Sequence, residues 1–191
     1  MREVWGNGRQ EVFHKDQDYK AFIDLMKEAK ERYPVKLFAY CLMPNHFHMV
    51  LAPALAGDLS KWMQWLMTSH VRRYHNHYGT TGHIWQGRYK SFIIQEDDHL
   101  LTVLRYVEGN PVRASLANSA KDWPWSSHKG RINVNKNLLL DEVPFRLPEN
   151  WEEYVDGFLN ERELKKLRNS VSGNRLLECL HGRRKWRKKL V

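Results

Sequence analysis

The chain has 191 residues and a formal net charge of +9, from 31 Lys and Arg against 22 Asp and Glu. No apolar run approaches the ~20 residues of a membrane span, and the amino terminus lacks the apolar stretch of a secretory signal, so we expect a cytoplasmic location and no membrane association. The two cysteines, Cys41 and Cys179, match no zinc or disulfide spacing, which is typical of a reducing compartment.

Eight tryptophans and eight tyrosines accompany the positive charge. Phosphates attract the cations and unpaired bases stack on flat rings, so this composition favours a nucleic-acid partner. The alternative is a basic protein that merely carries a solvated positive face. The length suits one domain with an appendage, which we divide into residues 1–130 and a C-terminal extension over 131–191.

The first predicted elements are a loop and a helix. Only about four strand-like residues precede the loop signal at Gly6 to Arg9, so any first strand is short. Asp16 to Arg32 predicts a helix, since its apolar residues recur at helical spacing, and Pro34 ends it. Asp16 or Asp18 can cap its start.

A hairpin follows, from Leu37 through the turn at Pro44-Asn45 into a second strand. His46 and His48 share one face of that strand, and apolar side chains occupy the other. We expect the apolar face to pack on a core and the imidazole face to meet water or a ligand. Two imidazoles on one strand are a ready pair of metal ligands, although a half-exposed surface pair is the commoner meaning of this motif.

Asp58 or Ser60 begins a long helix that runs to about Tyr78. Cations and aromatic residues crowd its far end. A second metal site built from His70, His75 and His77 is conceivable there, but imidazoles beside Arg72 and Arg73 more often meet phosphate or solvent. The next strand, over residues 88–95, places Arg88 and Lys90 on one face.

A further helix is predicted from about His99 to Asn110, stopped by Pro111. In such a helix Tyr106 and Asn110 lie only about 40° apart, so a phenol and a carboxamide project from one flank. An amphipathic rim tyrosine and an asparagine stop signal are the simpler reading of the same residues.

The rest of the chain carries less pattern. Asp122 to Ser127, with the sequence DWPWSS, predicts a turn held by two indoles. A short helix is expected from about Glu161 to Ser170, and the end of the chain, Arg183 to Lys189, is a dense basic tail.

Four blocks of residues resemble those of the REP-associated tyrosine transposases, a bacterial branch of the single-tyrosine HUH transposases. The blocks are Ala39 to His48, His83 to Tyr89, Leu104 to Ala114 and Asp122 to Ser127, and the resemblance covers about residues 5–130. It implies an α+β domain with a ferredoxin-like or RRM-like antiparallel sheet and helices packed on one face.

The resemblance also implies the site. His46 and His48 would be the HUH pair and Tyr106 the nucleophile, with Asn110 as the third ligand of a divalent ion, Mg²⁺ or Mn²⁺. Tyr106 would cut single-stranded DNA through a 5′-phosphotyrosine, and a 3′-hydroxyl from another strand would rejoin it.

The implied partner is single-stranded DNA carrying REP-like hairpins in the bacterial nucleoid, bound by a monomer or a homodimer. From charge and placement we assign DNA contacts to Arg72, Arg73, Arg88, Lys90 and Arg113, with the basic tail.

Two alternatives give the same residues other roles. A non-catalytic RRM-like binder of single-stranded nucleic acid accounts for the charge and the aromatic rings but gives Tyr106 and the histidines no joint task. A metal-dependent phosphohydrolase that uses water would need the metal site but no tyrosine nucleophile.

Overall fold

The computed structural model of the protein describes residues 2–6, 10–86, 89–91, 93–94, 97–132, 139–157, 159, 161 and 163. Arg88, Cys179, residues 164–170 of the expected late helix and the basic tail therefore lie outside the described residues. The helices and strands, in chain order, are β1 Arg2–Trp5, α1 Asp16–Arg32, β2 Val35–Met43, β3 His46–Pro53, α2 Asp58–Tyr78, β4 Lys90–Ser91, α3 Asp97–Glu108, α4 Asn110–Arg113, a 3-10 turn Ala120–Asp122, α5 Ser127–Ile132 and α6 Trp151–Asp156. No helix among these described residues is both long and apolar enough to cross a bilayer.

Helices α1 and α2 form where the apolar spacing predicts them. In α1 the buried Tyr19, Phe22, Met26 and Ala29 recur every three or four residues. The helix begins after Lys15, and Asp18 accepts hydrogen bonds from the Lys15 and His14 amides. Asp18 therefore satisfies the exposed amides from inside the first turn, as N3 of the helix rather than as its cap.

Over the described residues, the sheet has four strands in the order β2-β3-β1-β4, and every neighbouring pair is antiparallel. With α1 between β1 and β2, and α2 between β3 and β4, the chain follows a β-α-β-β-α-β path. Strand β1 is short, as expected, and pairs Glu3 with His48. Strand β4 has two described residues, Lys90 and Ser91, and residues 88, 92 and 95 of the strand predicted over 88–95 lie outside the described part of the chain.

The α+β class with an antiparallel sheet is confirmed, but helices cover both faces of the sheet rather than one. Helices α1 and α2 pack on one face with Leu42, Phe47 and Met49, and α3 packs on the other with Cys41 and Val50. Strand β2 makes this possible because its side chains are apolar and buried on both faces. A two-faced strand needs a cover on each side.

The DWPWSS segment lies along the outer edge of β2. Leu42 donates its amide to the Trp125 carbonyl at 2.9 Å, and the indole of Trp123 donates to the Leu42 carbonyl at 2.9 Å. The Tyr40 amide donates to Ser127 Oγ at 3.1 Å. The predicted turn thus satisfies the backbone groups of an edge strand.

Part of the predicted C-terminal extension packs on the domain. Leu139 joins the cluster on the α1–α2 side, while Trp151 and Val155 of α6 join the cluster around α3. The Asp141 carboxylate accepts the Leu37 amide at 2.8 Å. The boundary between residues 130 and 131 stays a prediction.

Candidate active site

The histidine pair lies on the face of β3 that α3 covers. The Nε2 atoms of His46 and His48 are 3.1 Å apart, and the rings meet edge to face. Only 9% of His46 and 2% of His48 is exposed. The pair is therefore not a half-exposed surface feature, because α3 covers this face of the sheet.

Burial keeps both imidazoles neutral. It lowers the pKa of His46 to about 4, and it lowers the pKa of His48 well below its ordinary value, with a further contribution from the neighbouring His46. Asn45 Oδ1 accepts from His46 Nδ1 at 2.7 Å, which leaves the lone pair of that ring on Nε2. A neutral imidazole, which keeps a lone pair on one ring nitrogen, is the form that binds metals.

Tyr106 reaches this pair from α3. Its half-buried ring lies 5.9 Å from the His48 ring, centroid to centroid, at an interplanar angle of 82°. The guanidinium carbon of Arg113 lies 4.3 Å from the centroid of the Tyr106 ring, and Arg113 also donates to the Tyr106 carbonyl. A phenol, two neutral imidazoles and a cation thus lie together on one side of the sheet.

Asn110 occupies a different position from the one predicted. Helix α3 ends at Glu108, and Asn110 begins the separate turn α4. Pro111 has no amide hydrogen with which to continue the ladder of α3, so the helix breaks at Gly109. Asn110 is buried, and its Nδ2 has no hydrogen-bond partner.

The donors present fit a divalent ion. The two Nε2 atoms lie 3.1 Å apart, so both imidazoles could contact one ion. No group of three or more His, Cys, Asp or Glu side chains gathers anywhere in the described part of the chain. Among the described residues, a third protein ligand would thus have to be of another type, and the carboxamide oxygen of the buried Asn110 is a group of that kind.

Comparison with known proteins identifies the family. Residues 4–110, more than half of the chain, match the model of the family described as "Transposase IS200 like". The chain belongs to this family.

One similar sequence and one similar solved structure show how much of the chain the similarity covers. A Haemophilus influenzae protein named as a candidate REP-associated tyrosine transposase is 29% identical over 117 residues, which cover 56% of this chain and 66% of the relative. The chain therefore spans just under two thirds of that relative. A solved structure of a REP-associated tyrosine transposase bound to a REP hairpin matches with a TM-score of 0.59 and 18% identity, over 74% of this chain and 83% of the other. At that identity the likeness concerns the fold.

The predicted DNA-contacting residues of this transposase do not form one surface. Arg113 lies beside Tyr106, whereas Arg72 and Arg73 belong to α2, which packs on the opposite face of the sheet. Arg73 also pairs with Asp18 at 3.8 Å. Lys90 lies on β4, and Arg88 is outside the described residues.

Arg72 borders a groove of about 660 Å³ between α2 and the segment that follows it. The groove is lined by Met67, Thr68, Val71, Arg72, Gly82, His83, Ile84, Trp85 and Gln86.

The histidines of α2 do not form a second metal site. His70 is buried among Phe13, Phe22 and Trp85, with ring centroids 5.0 to 5.5 Å away. His75 contacts Thr80 and the Gly82 carbonyl, and His77 contacts the Lys15 ammonium. Each of the three therefore has a separate environment.

Glu108 is the residue near the site that the sequence did not single out. It is fully buried and lies between Tyr106 and Asn110 in the chain. Burial works to raise the pKa of Glu108, but the hydrogen bonds from His128 and Ser127 and the charge of Arg131 outweigh it, so this pKa stays below the ordinary value. Its signal in the sequence is a carboxylate at the end of the apolar stretch of α3, ahead of a DWPWSS motif whose partner the sequence does not show.

Proposed function

We propose that this IS200-like transposase cuts and rejoins single-stranded DNA at hairpins, through a covalent bond between Tyr106 and a 5′-phosphate. The observation that carries the proposal is the 5.9 Å separation of the Tyr106 and His48 rings on one side of the sheet. A nucleophile and a pair of neutral nitrogen ligands are therefore close enough to share one phosphate.

His46, His48 and Asn110 would hold Mg²⁺ or Mn²⁺, which would neutralise charge on the non-bridging oxygens of the scissile phosphate. The imidazoles suit this task because burial keeps them neutral. Mn²⁺ accepts nitrogen ligands more readily than Mg²⁺ does.

Tyr106 carries out the covalent step. Its hydroxyl oxygen attacks phosphorus and loses its proton to water, while the 3′-oxygen of the preceding nucleotide leaves and takes up a proton. The product is a 5′-phosphotyrosyl bond and a free 3′-hydroxyl. Because the phosphate ester is retained, a 3′-hydroxyl from a second strand can reverse the reaction and join new DNA.

The cations beside the site and elsewhere on the chain favour a nucleic-acid substrate. Arg113, beside Tyr106, would contact a phosphate next to the cut. Arg72, Arg73, Arg88 and Lys90, with the basic tail, would hold flanking DNA, including a hairpin of the kind named for the solved relative. The place of action would be the bacterial nucleoid.

The test uses labelled single-stranded DNA with a hairpin, incubated with Mn²⁺ and resolved on a denaturing gel. We expect a band of protein joined to DNA for the unaltered chain, and none for Tyr106→Phe. Tyr33→Phe is the matched control, since Tyr33 packs with α1 on the opposite side of the sheet, and it should form the adduct normally.

Other outcomes separate the rival functions. Cleavage without an adduct would indicate a phosphohydrolase that uses water. Hairpin binding without cleavage, unchanged in Tyr106→Phe, would indicate a non-catalytic nucleic-acid binder. Either result would overturn the transposase mechanism for this chain.

A further inference from the structure

Glu108 is the last residue of α3, and none of its side chain is exposed. Removing a carboxylate from water is costly unless hydrogen bonds replace those of the solvent. Here they do. Ser127 Oγ and Arg131 Nε donate to Oε1 at 2.6 and 2.8 Å, and His128 Nδ1 and Trp151 Nε1 donate to Oε2 at 3.0 and 2.8 Å.

All four donors come from outside α3. Three belong to α5, which follows the DWPWSS motif, and the fourth belongs to α6. Two donors approach each carboxylate oxygen, so the group is held in its rotation as well as in its position. The segment that carries Tyr106 is thereby attached to two other elements at a single point.

Ser127 extends this attachment to the sheet. Its hydroxyl donates to Glu108 and accepts the amide of Tyr40 on β2 at 3.1 Å. The next residue of β2, Cys41, pairs with His48 on β3. Two consecutive hydrogen bonds therefore connect the end of the tyrosine helix with the strand that adjoins the imidazoles.

The other contacts between α3 and the sheet are of a different kind. Leu100, Val103, Leu104 and Val107 pack against the apolar side chains of β2 and β3. Apolar packing is non-directional, so it leaves the helix able to rotate or slide by fractions of an ångström. Hydrogen bonds to a carboxylate are directional and fix both movements.

We propose that Glu108 is a positioning residue that sets the place of Tyr106 relative to the His46–His48 pair through Ser127 and β2. This inference rests on the proposed function, since it assigns Glu108 a part in the same reaction. Misplacement of a reacting group by about 1 Å can cost a hundredfold in rate, so a loosened attachment should appear in the chemical step.

The experiment compares three variants. Glu108→Gln keeps the size of the side chain, but its amide nitrogen would accept a hydrogen bond from neither His128 nor Trp151. Ser127→Ala removes the connection to the sheet that runs through Ser127, while Arg131, which donates both to Glu108 and to the Phe38 carbonyl of β2, stays in place. Met26→Ala is the control, because Met26 is a fully buried apolar residue of α1 on the opposite face, so it lowers stability without touching this network.

For each protein we would measure the melting temperature, the Kd for a hairpin oligonucleotide and the single-turnover rate of adduct formation at saturating DNA. The rates are taken well below every melting temperature. We expect Glu108→Gln and Ser127→Ala to lose roughly tenfold to a hundredfold in rate, with Kd unchanged within about twofold. Met26→Ala should melt earlier and react at the normal rate.

Two results would overturn the role of Glu108. One is a normal rate in Ser127→Ala, which decides the question even if Glu108→Gln does not fold. The other is an equal loss of rate in Met26→Ala, because the network would then matter only through stability. If the unaltered chain forms no adduct, the proposed function itself fails and this inference with it. The unaltered chain therefore shows which of the two has failed.

Discussion

His70 should make the protein less stable in mild acid, and replacing it with leucine should remove that part of the pH dependence. Its ring is 2% exposed, and its Nδ1 has no hydrogen-bond partner. Burial, together with the nearby charge of Arg73, lowers the pKa of His70 to about 3, although the Asp18 carboxylate acts in the opposite direction. The folded protein thus holds this ring neutral throughout the neutral and mildly acidic range.

Proton linkage gives the sign and the size of this pH effect on the free energy of unfolding. The unfolded chain protonates His70 near pH 6.5, whereas the folded chain does so only near pH 3, so the unfolded state binds more protons between these values. Stability contributed by the neutral ring is complete above pH 6.5 and is lost as the pH falls. Between pH 7.5 and pH 5.0 the loss is about 2 kcal/mol.

The assay is urea unfolding of the unaltered protein and His70→Leu, followed by circular dichroism at pH 7.5 and pH 5.0. Leucine has nearly the volume of histidine and no titrating group, so the variant should lose about 2 kcal/mol less between the two pH values. Other buried histidines titrate in both proteins and cancel in this comparison. An identical loss in the two proteins would refute the picture of a buried neutral ring.

Three further results are expected. Asp18→Asn should lower the free energy of unfolding by about 1–3 kcal/mol in urea titrations, because the carboxylate accepts several hydrogen bonds near the start of α1. An unchanged free energy of unfolding would contradict this. Trp123→Phe should lower the free energy of unfolding by about 1 kcal/mol in the same titrations, because the variant loses the hydrogen bond to the edge strand. A larger loss would indicate that the packing of the indole matters more than its hydrogen bond. Arg113→Gln should slow adduct formation at saturating DNA by on the order of tenfold, because the guanidinium touches the Tyr106 ring. Arg72→Gln should weaken the affinity for the hairpin and lower the slope of log K against log salt concentration by about one, without slowing the rate at saturating DNA. If Arg72→Gln slowed the rate at saturating DNA and Arg113→Gln weakened only the affinity, the roles of the two arginines would be exchanged.

Local sequence was sufficient for the helices whose ends carry strong signals. Helix α1 runs from Asp16 to Arg32 as predicted, since Pro34 forbids its continuation. Helix α2 ends at Tyr78 because Gly79 takes the left-handed conformation, with φ of 62°, that closes a helix. Apolar spacing and stop residues are properties of neighbouring residues, so no tertiary contact was needed to find them.

The layer that covers the histidines could not be found in this way. Alternation along β3 shows that His46 and His48 share a face, but it does not show which helix packs there. The break at Gly109 was missed for a related reason, because Asn110 can end one helix or begin another turn. Glu108 shows the same limit, since its four donors lie about 20 to 43 residues away in the chain, and only the folded protein brings them together.

Strand β3 ties the stability of the fold to the chemistry of the site. Phe47 packs between α1 and α2, with its ring 5.2 Å from Phe22, while His46 and His48 face α3. Side chains alternate along a strand, so a slip of one residue against β2 would turn Phe47 toward Tyr106 and place both imidazoles in the aromatic core. His46 would then lose its hydrogen bond to Asn45, and the α1–α2 core would lose a large ring. The register that buries the most apolar surface is therefore also the one that presents two neutral nitrogens to the tyrosine.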